Sequence, residues 1–169
     1  MANLKEIRIR IGSVSSTMQI TSAMKMVSAA KLKKAQDAIT AMRPYSDKLS
    51  ELMQSFSGTS GGGSKSFTEN RKLNKVLVVA ISSNRGLCGA FNANIAKEAL
   101  AFKSNEKFRD SKIDFLTIGK KINDTLSKNE AIIQNDSDVF EDLNYENVGK
   151  IADKLMSLFV SNDYDHIEI

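Results

Sequence analysis

Stepping alternately by three and four residues from Leu4 meets Leu4, Ile7, Ile11, Val14, Met18, Thr21, Lys25, Ser28, Leu32, Ala35, Ile39 and Met42. This heptad seam predicts one helix of roughly 60 Å at about 1.5 Å per residue. A single globular domain rarely buries a helix of that length, so a partner helix is implied. Gly12 and several Ser and Thr weaken intrinsic helicity, the glycine by up to ~1 kcal/mol. The seam changes character midway. Leu4, Ile7, Ile11, Val14 and Met18 are bulky and apolar, whereas Thr21, Lys25 and Ser28 are not. A second stripe of Ile20, Ala23, Met24, Val27 and Ala30 runs beside them, interspersed with Lys25, Lys31, Lys33 and Lys34. Small residues and methionines suit a helix that touches more than one surface, or surfaces that change. An irregular coiled coil with a solvated lysine face accounts for the pattern equally well.

Pro44 is expected to end or bend this helix, because its ring clashes with the preceding turn and pushes Arg43 from helical geometry. A weaker helical stretch runs from Tyr45 to Phe56, and SGTSGGGSKS, 57–66, reads as a flexible linker. The expected organisation is a helical segment over 1–56 with a bend near 44, a linker over 57–72, and an α/β domain over 73–169. KVLVVAI, 75–81, is the kind of β-branched run that a parallel sheet buries on both faces. A helix near 92–103, a strand at 112–120, a short helix in KKINDTLSK, a strand at AIIQ, an amphipathic helix in ENVGKIADKLMSLFVS and a last strand in DYDHIEI follow. Strands alternating with helices predict an α/β fold with a largely parallel sheet.

Composition adds limits. At 169 residues and 41% hydrophobic, the chain has room for one domain with a real core, or a small domain plus an extended element. No apolar run is long enough to span a membrane, and MANLKEIRIRIG interleaves charges with its apolar residues, unlike a signal peptide. One cysteine, Cys88, excludes an internal disulfide framework, and one histidine, His166, excludes most His-rich metal sites. Charge is uneven. Residues 1–43 hold eight basic and two acidic side chains, a balance of +6, so the remainder carries −2 of the overall +4. The two parts therefore face different electrostatic surroundings. A nucleic-acid role for the basic segment is weakened by its lack of aromatic residues and by the apolar seam it shares.

RGLCGAF sits where a phosphate-binding loop would sit, between a strand and a helix, but the spacing of Gly86 and Gly89 matches neither of the usual glycine patterns. A tight turn with close helix–strand packing is the better account of these glycines. Cys88 near the helix start has no neighbouring base to activate it. His166 sits beside acidic residues as an incidental side chain. DSDVFED, 136–142, lacks the glycine and terminal glutamate of a calcium loop and reads as a solvated acidic loop.

Together, KEIRIRIGSV, ITSAMKMVSAAKLKKAQ (20–36), RPY (43–45), SSNRGLCGAFN (82–92) and IGKK (118–121) resemble the gamma subunits of the rotary F-type ATP synthases, in family order across the whole chain. The resemblance implies a central-stalk rotor subunit. Its N-terminal helix would pair antiparallel with a C-terminal helix of the same subunit and turn inside a ring of alternating alpha and beta subunits. A Rossmann-like domain would lie at the foot, near the epsilon subunit and the membrane c-ring. Rotation would couple transmembrane proton flow to ATP synthesis or hydrolysis on the partner subunits. The subunit itself would be non-catalytic, with no cofactor, no metal and no nucleic acid. It would be a peripheral protein at the cytoplasmic face of the bacterial inner membrane, or its mitochondrial or chloroplast equivalent. Contact with partners would fall to Met24, Lys25, Met26, Lys31 and Lys33 on the helix and to Arg85, Gly86, Leu87, Cys88 and Gly89 in the loop, with Leu4, Ile7, Ile11, Val14 and Met18 as the shaft seam.

Two departures stand out. Asn84 occupies a position where the family usually has aspartate, which removes a charge. The family pattern also continues past Ile169, so the expected rest of the domain and the C-terminal shaft helix are missing here: either this is a fragment or the family's function is incomplete in it. The competing reading is a nucleotide-dependent α/β enzyme with a helical oligomerisation arm.

Overall fold

A computed structural model describes residues 3–57, 67 and 71–169. The chain divides into two compact units, Met1–Gly61 and Gly62–Ile169. The first is one α-helix, α1, Leu4–Ser57, with Pro44 inside it. The expected stop at Pro44 does not occur, and Arg43 stays helical. A proline in a helix interior costs about 3 kcal/mol. The helix nevertheless continues to Ser57, with the good helix formers Leu49, Glu51, Leu52 and Met53 on the C-terminal side of the proline. An exposed Lys48–Glu51 ion pair at 2.5 Å adds a small i,i+3 contribution. Polar residues on the helix satisfy themselves locally: the hydroxyls of Ser16, Thr17 and Thr21 donate to the carbonyls of Gly12, Ser13 and Thr17. Most of the residues expected to form the linker, 58–66 and 68–70, lie outside the described residues.

In the second unit Arg71 lies near the end of the segment expected to be linker. Its guanidinium donates to the Phe159 carbonyl at 2.7 Å and lies 4.4 Å from that ring's centre. Strand β1, Lys75–Ile81, pairs in parallel with β2, Lys112–Ile118, along its whole length. β3, Ile132–Asn135, pairs with β2, and β4, His166–Glu168, pairs with the other edge of β1. The order is β3-β2-β1-β4, all parallel, so the chain reverses its direction of travel across the sheet at β1. Helix α2, Phe91–Ala101, and helix α3, Lys120–Leu126, bury Ala96, Ala99, Ile122 and Leu126 against Val76, Val78, Ala80 and Phe115. Helix α4, Tyr145–Val160, brings Ile151, Leu155 and Leu158 to the opposite face, against Leu77, Val79, Leu116 and Ile118. The central strands are thus covered on both sides, which is why they read as continuous apolar runs. The architecture is α/β, with a long N-terminal helix and an all-parallel four-stranded sheet of doubly wound, Rossmann-like type.

Beside β4, the Tyr164 hydroxyl donates to Asp114 Oδ2 at 3.0 Å, and both residues are buried. Lys112 Nζ lies 3.6 Å from Asp114 Oδ1, and Lys75 Nζ lies 4.4 Å from the centre of the Tyr164 ring. Burial, then the hydrogen bond to Asp114 and the nearby carboxylate charges, push the Tyr164 phenol from 10.0 up to about 12. The native state therefore holds this proton more tightly than the unfolded chain does. The stabilisation is complete below pH 10 and is lost as pH rises towards about 12. It amounts to roughly 2–3 kcal/mol. Alkaline denaturation followed by circular dichroism should show this loss in the native protein and not in Tyr164→Phe. A Tyr164→Phe variant with the same alkaline profile would contradict the assignment.

His166 is not incidental. Its ring stacks on Phe108 with centroids 5.5 Å apart, and its Nε2 lies 2.9 Å from Glu168 Oε2.

Candidate functional site

The C-terminal ends of β1, β2 and β3 meet in one polar cluster. As β1 ends, the Ser82 amide donates to the Ile118 carbonyl at 2.8 Å. The Ser82 hydroxyl accepts from the Ile122 amide at 3.0 Å, satisfying a free N–H in the first turn of α3. The Gly119 amide donates to Ser137 Oγ at 3.1 Å. Gly119 has φ +120°, and a Cβ there would clash with the Ser82 carbonyl oxygen and lie 2.6 Å from Ser82 Oγ. Only glycine lets the β1 and β2 exits come this close.

Asn84 completes the cluster. Its Oδ1 accepts from the Lys120 amide at 2.9 Å, and its Nδ2 donates to the Ser137 carbonyl at 3.0 Å. An aspartate here could accept the first bond but could not donate the second. The amide therefore changes more than a charge: it joins the loop after β1 to the short helical turn after β3. That turn, Ser137–Phe140, is part of the segment expected to be a solvated acidic loop. The expectation fails at Ser137, which is buried, and at Val139, which packs on the α4 side of the core. The flanking Asp138 and Glu141 carboxylates lie 3.9 and 3.8 Å from Lys120 Nζ. Among the described residues no three His, Cys, Asp or Glu side chains gather as a metal site.

Beyond this cluster, Arg85, Gly86, Leu87, Cys88 and Gly89 project outwards together and are exposed. Leu87 has φ +61° and is fully exposed, an unusual backbone form for a branched residue that is also left in water. Gly89 shares φ +61°, so the tight turn is real. Close helix–strand packing is not its cause, because a Cβ on Gly86 or Gly89 would meet nothing within 4 Å. Cys88 is a free, exposed cysteine whose sulfur receives the Asn92 Nδ2 donor at 3.1 Å. A cleft of about 800 Å³ opens beside the loop, with Phe91 and Phe140 as its apolar walls and Arg85 and Lys120 among its polar lining.

On α1, Leu4, Ile7, Ile11, Val14 and Met18 share one face and are exposed. Lys25 continues that face. At about 100° per residue, Met26 and Lys33 sit roughly a quarter turn to one side of it, and Met24 and Lys31 a quarter to a third of a turn to the other. The named contact residues therefore encircle most of the helix instead of forming one stripe. Loop and helix candidates belong to different units. The sequence reading passed over Ser82, Gly119, Asn92 and Ser137, although Ser82, Asn92 and Gly119 stand inside the quoted family motifs and Ser137 inside DSDVFED.

The long helix carries an exposed apolar seam, and the doubly wound unit displays a loop in which Leu87 holds a left-handed backbone form. A family model described as ATP synthase matches residues 3–169. The chain belongs to the gamma-chain family of the F-type ATP synthases. It is 61% identical over 171 residues to the ATP synthase gamma chain of Flavobacterium psychrophilum, a match covering 100% of this chain and 59% of the relative. It is 58% identical to the gamma chain of Flavobacterium johnsoniae over 100% of this chain and 59% of that one. For Christiangramia forsetii the values are 56%, 99% and 58%. The chain thus spans about three fifths of the length of these relatives. No helix among the described residues is long and apolar enough to cross a membrane.

Proposed function

We propose that the chain forms the N-terminal part of a central-stalk rotor subunit, which transmits torque between proton flow through the membrane c-ring and ATP synthesis or hydrolysis on alpha and beta subunits. The subunit carries out no chemistry itself and sits peripherally at the cytoplasmic face of the inner membrane, with the epsilon subunit beside it. The observation that carries this reading is α1, a 54-residue helix with an exposed apolar seam and cations spread around it, in a chain of the gamma family. Steric contact along such a shaft moves a partner without bond-making. Lys25, Lys31 and Lys33 present charge to acidic partner surfaces, and the seam residues close against the C-terminal helix found in full-length family members.

The loop from Arg85 to Gly89 is a second contact element, its arginine meeting acidic side chains of a beta subunit. A well desolvated charge-assisted pair contributes about 1.5–3 kcal/mol, and an exposed one less. Arg85→Ala in the complete complex is therefore expected to keep ATP turnover while lowering the protons pumped per ATP, with this unit still folded. Coupling indistinguishable from wild type would leave the loop with a purely structural role.

A further inference from the structure

The loop after β1 poses a physical problem. Arg85 to Ala90 are all exposed, Gly86 and Gly89 have open space where a Cβ would be, and Leu87 holds an unfavourable φ with its side chain in water. Nothing in the apolar core holds this shape. Apart from a long backbone bond, Phe91 N–H to the Cys88 carbonyl at 3.4 Å, and one from Ser83 Oγ to the Arg85 carbonyl, the described hydrogen bonds that hold it converge on one side chain. Asn92 Oδ1 accepts from the Ser83 amide at 3.2 Å and lies 3.0 Å from Ser83 Oγ. Its Nδ2 donates to the Arg85 carbonyl at 3.3 Å and to Cys88 Sγ at 3.1 Å. Both amide protons are used, and the oxygen accepts from the Ser83 amide and shares the Ser83 hydroxyl proton with the Arg85 carbonyl. Asn92 stands in the first turn of α2, which Ala96 and Ala99 anchor to the buried face of the sheet. A rigid element thus reaches across the loop and grips it on both sides of Leu87.

Ser83 Oγ is the other group within reach, 2.5 Å from the Arg85 carbonyl. It has one proton, which that carbonyl and Asn92 Oδ1 compete for, and its distance to Cys88 Sγ is 3.9 Å. It cannot replace both Asn92 donors.

We propose that Asn92 is the positioning residue of the Arg85–Gly89 loop, holding the left-handed turn that presents Leu87 to a partner subunit. This rests on the reading of the loop as a contact element. A carboxamide is required because the grip needs donors and acceptors on one short side chain. A carboxylate would still accept from Ser83 but would turn an acceptor towards the Arg85 carbonyl and the Cys88 sulfur. The loop then loses the bonds that offset the cost of its backbone form, and Leu87 leaves its fixed position.

The test uses backbone amide order parameters of this chain by NMR, together with coupling in the complete complex. In the native chain Leu87 and Cys88 should lie in the rigid range, about 0.85. In Asn92→Asp they should fall below about 0.6 while β1 and the rest of α2 keep their values. Asn92→Ala, which adds no charge, should give the same loss. Ser83→Ala, which leaves both Asn92 donors in place, should retain the order. In the complex, Asn92→Asp should lower protons pumped per ATP by as large a factor as Leu87→Ala does. The proposal is overturned if both Asn92 variants keep the loop rigid, if Ser83→Ala loosens it as much, or if Leu87→Ala uncouples the complex and Asn92→Asp does not. Full coupling in Leu87→Ala and Arg85→Ala would instead overturn the contact reading, whatever the order parameters show.

Discussion

Replacing Gly119 with alanine should be among the most damaging single methyl additions to the α/β unit, with an expected loss of about 4 kcal/mol or more. Two costs combine. An L-residue at φ +120° is strained whatever space surrounds it. The added methyl also meets the Ser82 backbone carbonyl, not the end of a flexible side chain. That backbone cannot retreat cheaply. The Ser82 amide is bonded to the Ile118 carbonyl, its hydroxyl caps Ile122, and Asn84 two residues on holds the Lys120 amide. Relief of the clash would break at least one of these bonds. Small domains have about 5–15 kcal/mol in total, so the variant should sit near the edge of folding. Denaturant unfolding would measure the loss. Gly149→Ala is the matched control: it lies within α4, its Cβ would meet nothing within 4 Å, and the change should stabilise by up to about 1 kcal/mol. A Gly119→Ala protein with wild-type stability would show that β1 and β2 do not exit as closely as described.

The second large effect concerns α1. Leu4, Ile11, Val14 and Met18 are each more than 60% exposed, and Ile7 is 43% exposed. Burying one such side chain contributes roughly 1.5–3 kcal/mol. Five of them on each of two helices exceed the lower estimates of what association costs, about 4–15 kcal/mol. The 169-residue chain by itself is therefore expected to self-associate through this seam, or to fray along it. Equilibrium sedimentation should show a mass that rises with concentration, and Ile11→Asp should return it towards monomer. Hydrogen exchange over residues 3–43 should show protection that depends on concentration, while residues 76–160 change little. A monomer at high concentration with a fully protected helix would contradict the claim that this helix is half of a shaft.

Much of the fold was legible because it is periodic or contiguous. The heptad seam marks α1, and the runs KVLVVAI and KIDFLTI mark strands covered on both faces. Their alternation with helices gives a parallel sheet. The family was legible in motifs spread from the N-terminus to IGKK. Of the two outcomes expected at Pro44 the stop does not occur: a local penalty was set against a helix that runs for 54 residues. The loop's glycines were assigned to close packing that they do not make, because spacing alone cannot distinguish a packed glycine from a displayed one.

The sequence by itself determined that this chain has a shaft-like helix, a doubly covered parallel sheet and a glycine-rich loop between its first strand and helix. Only the tertiary structure decided which polar groups meet. Asn84 reaches Lys120 and Ser137, Tyr164 reaches Asp114, and Gly119 touches Ser82, across separations of roughly 36 to 53 residues. Such pairings have no period. They follow from a strand order that brings the C-terminal ends of β1, β2 and β3 side by side and sets the approach to β4 near the start of β2, where each buried donor and acceptor must find a partner or carry the cost of going without.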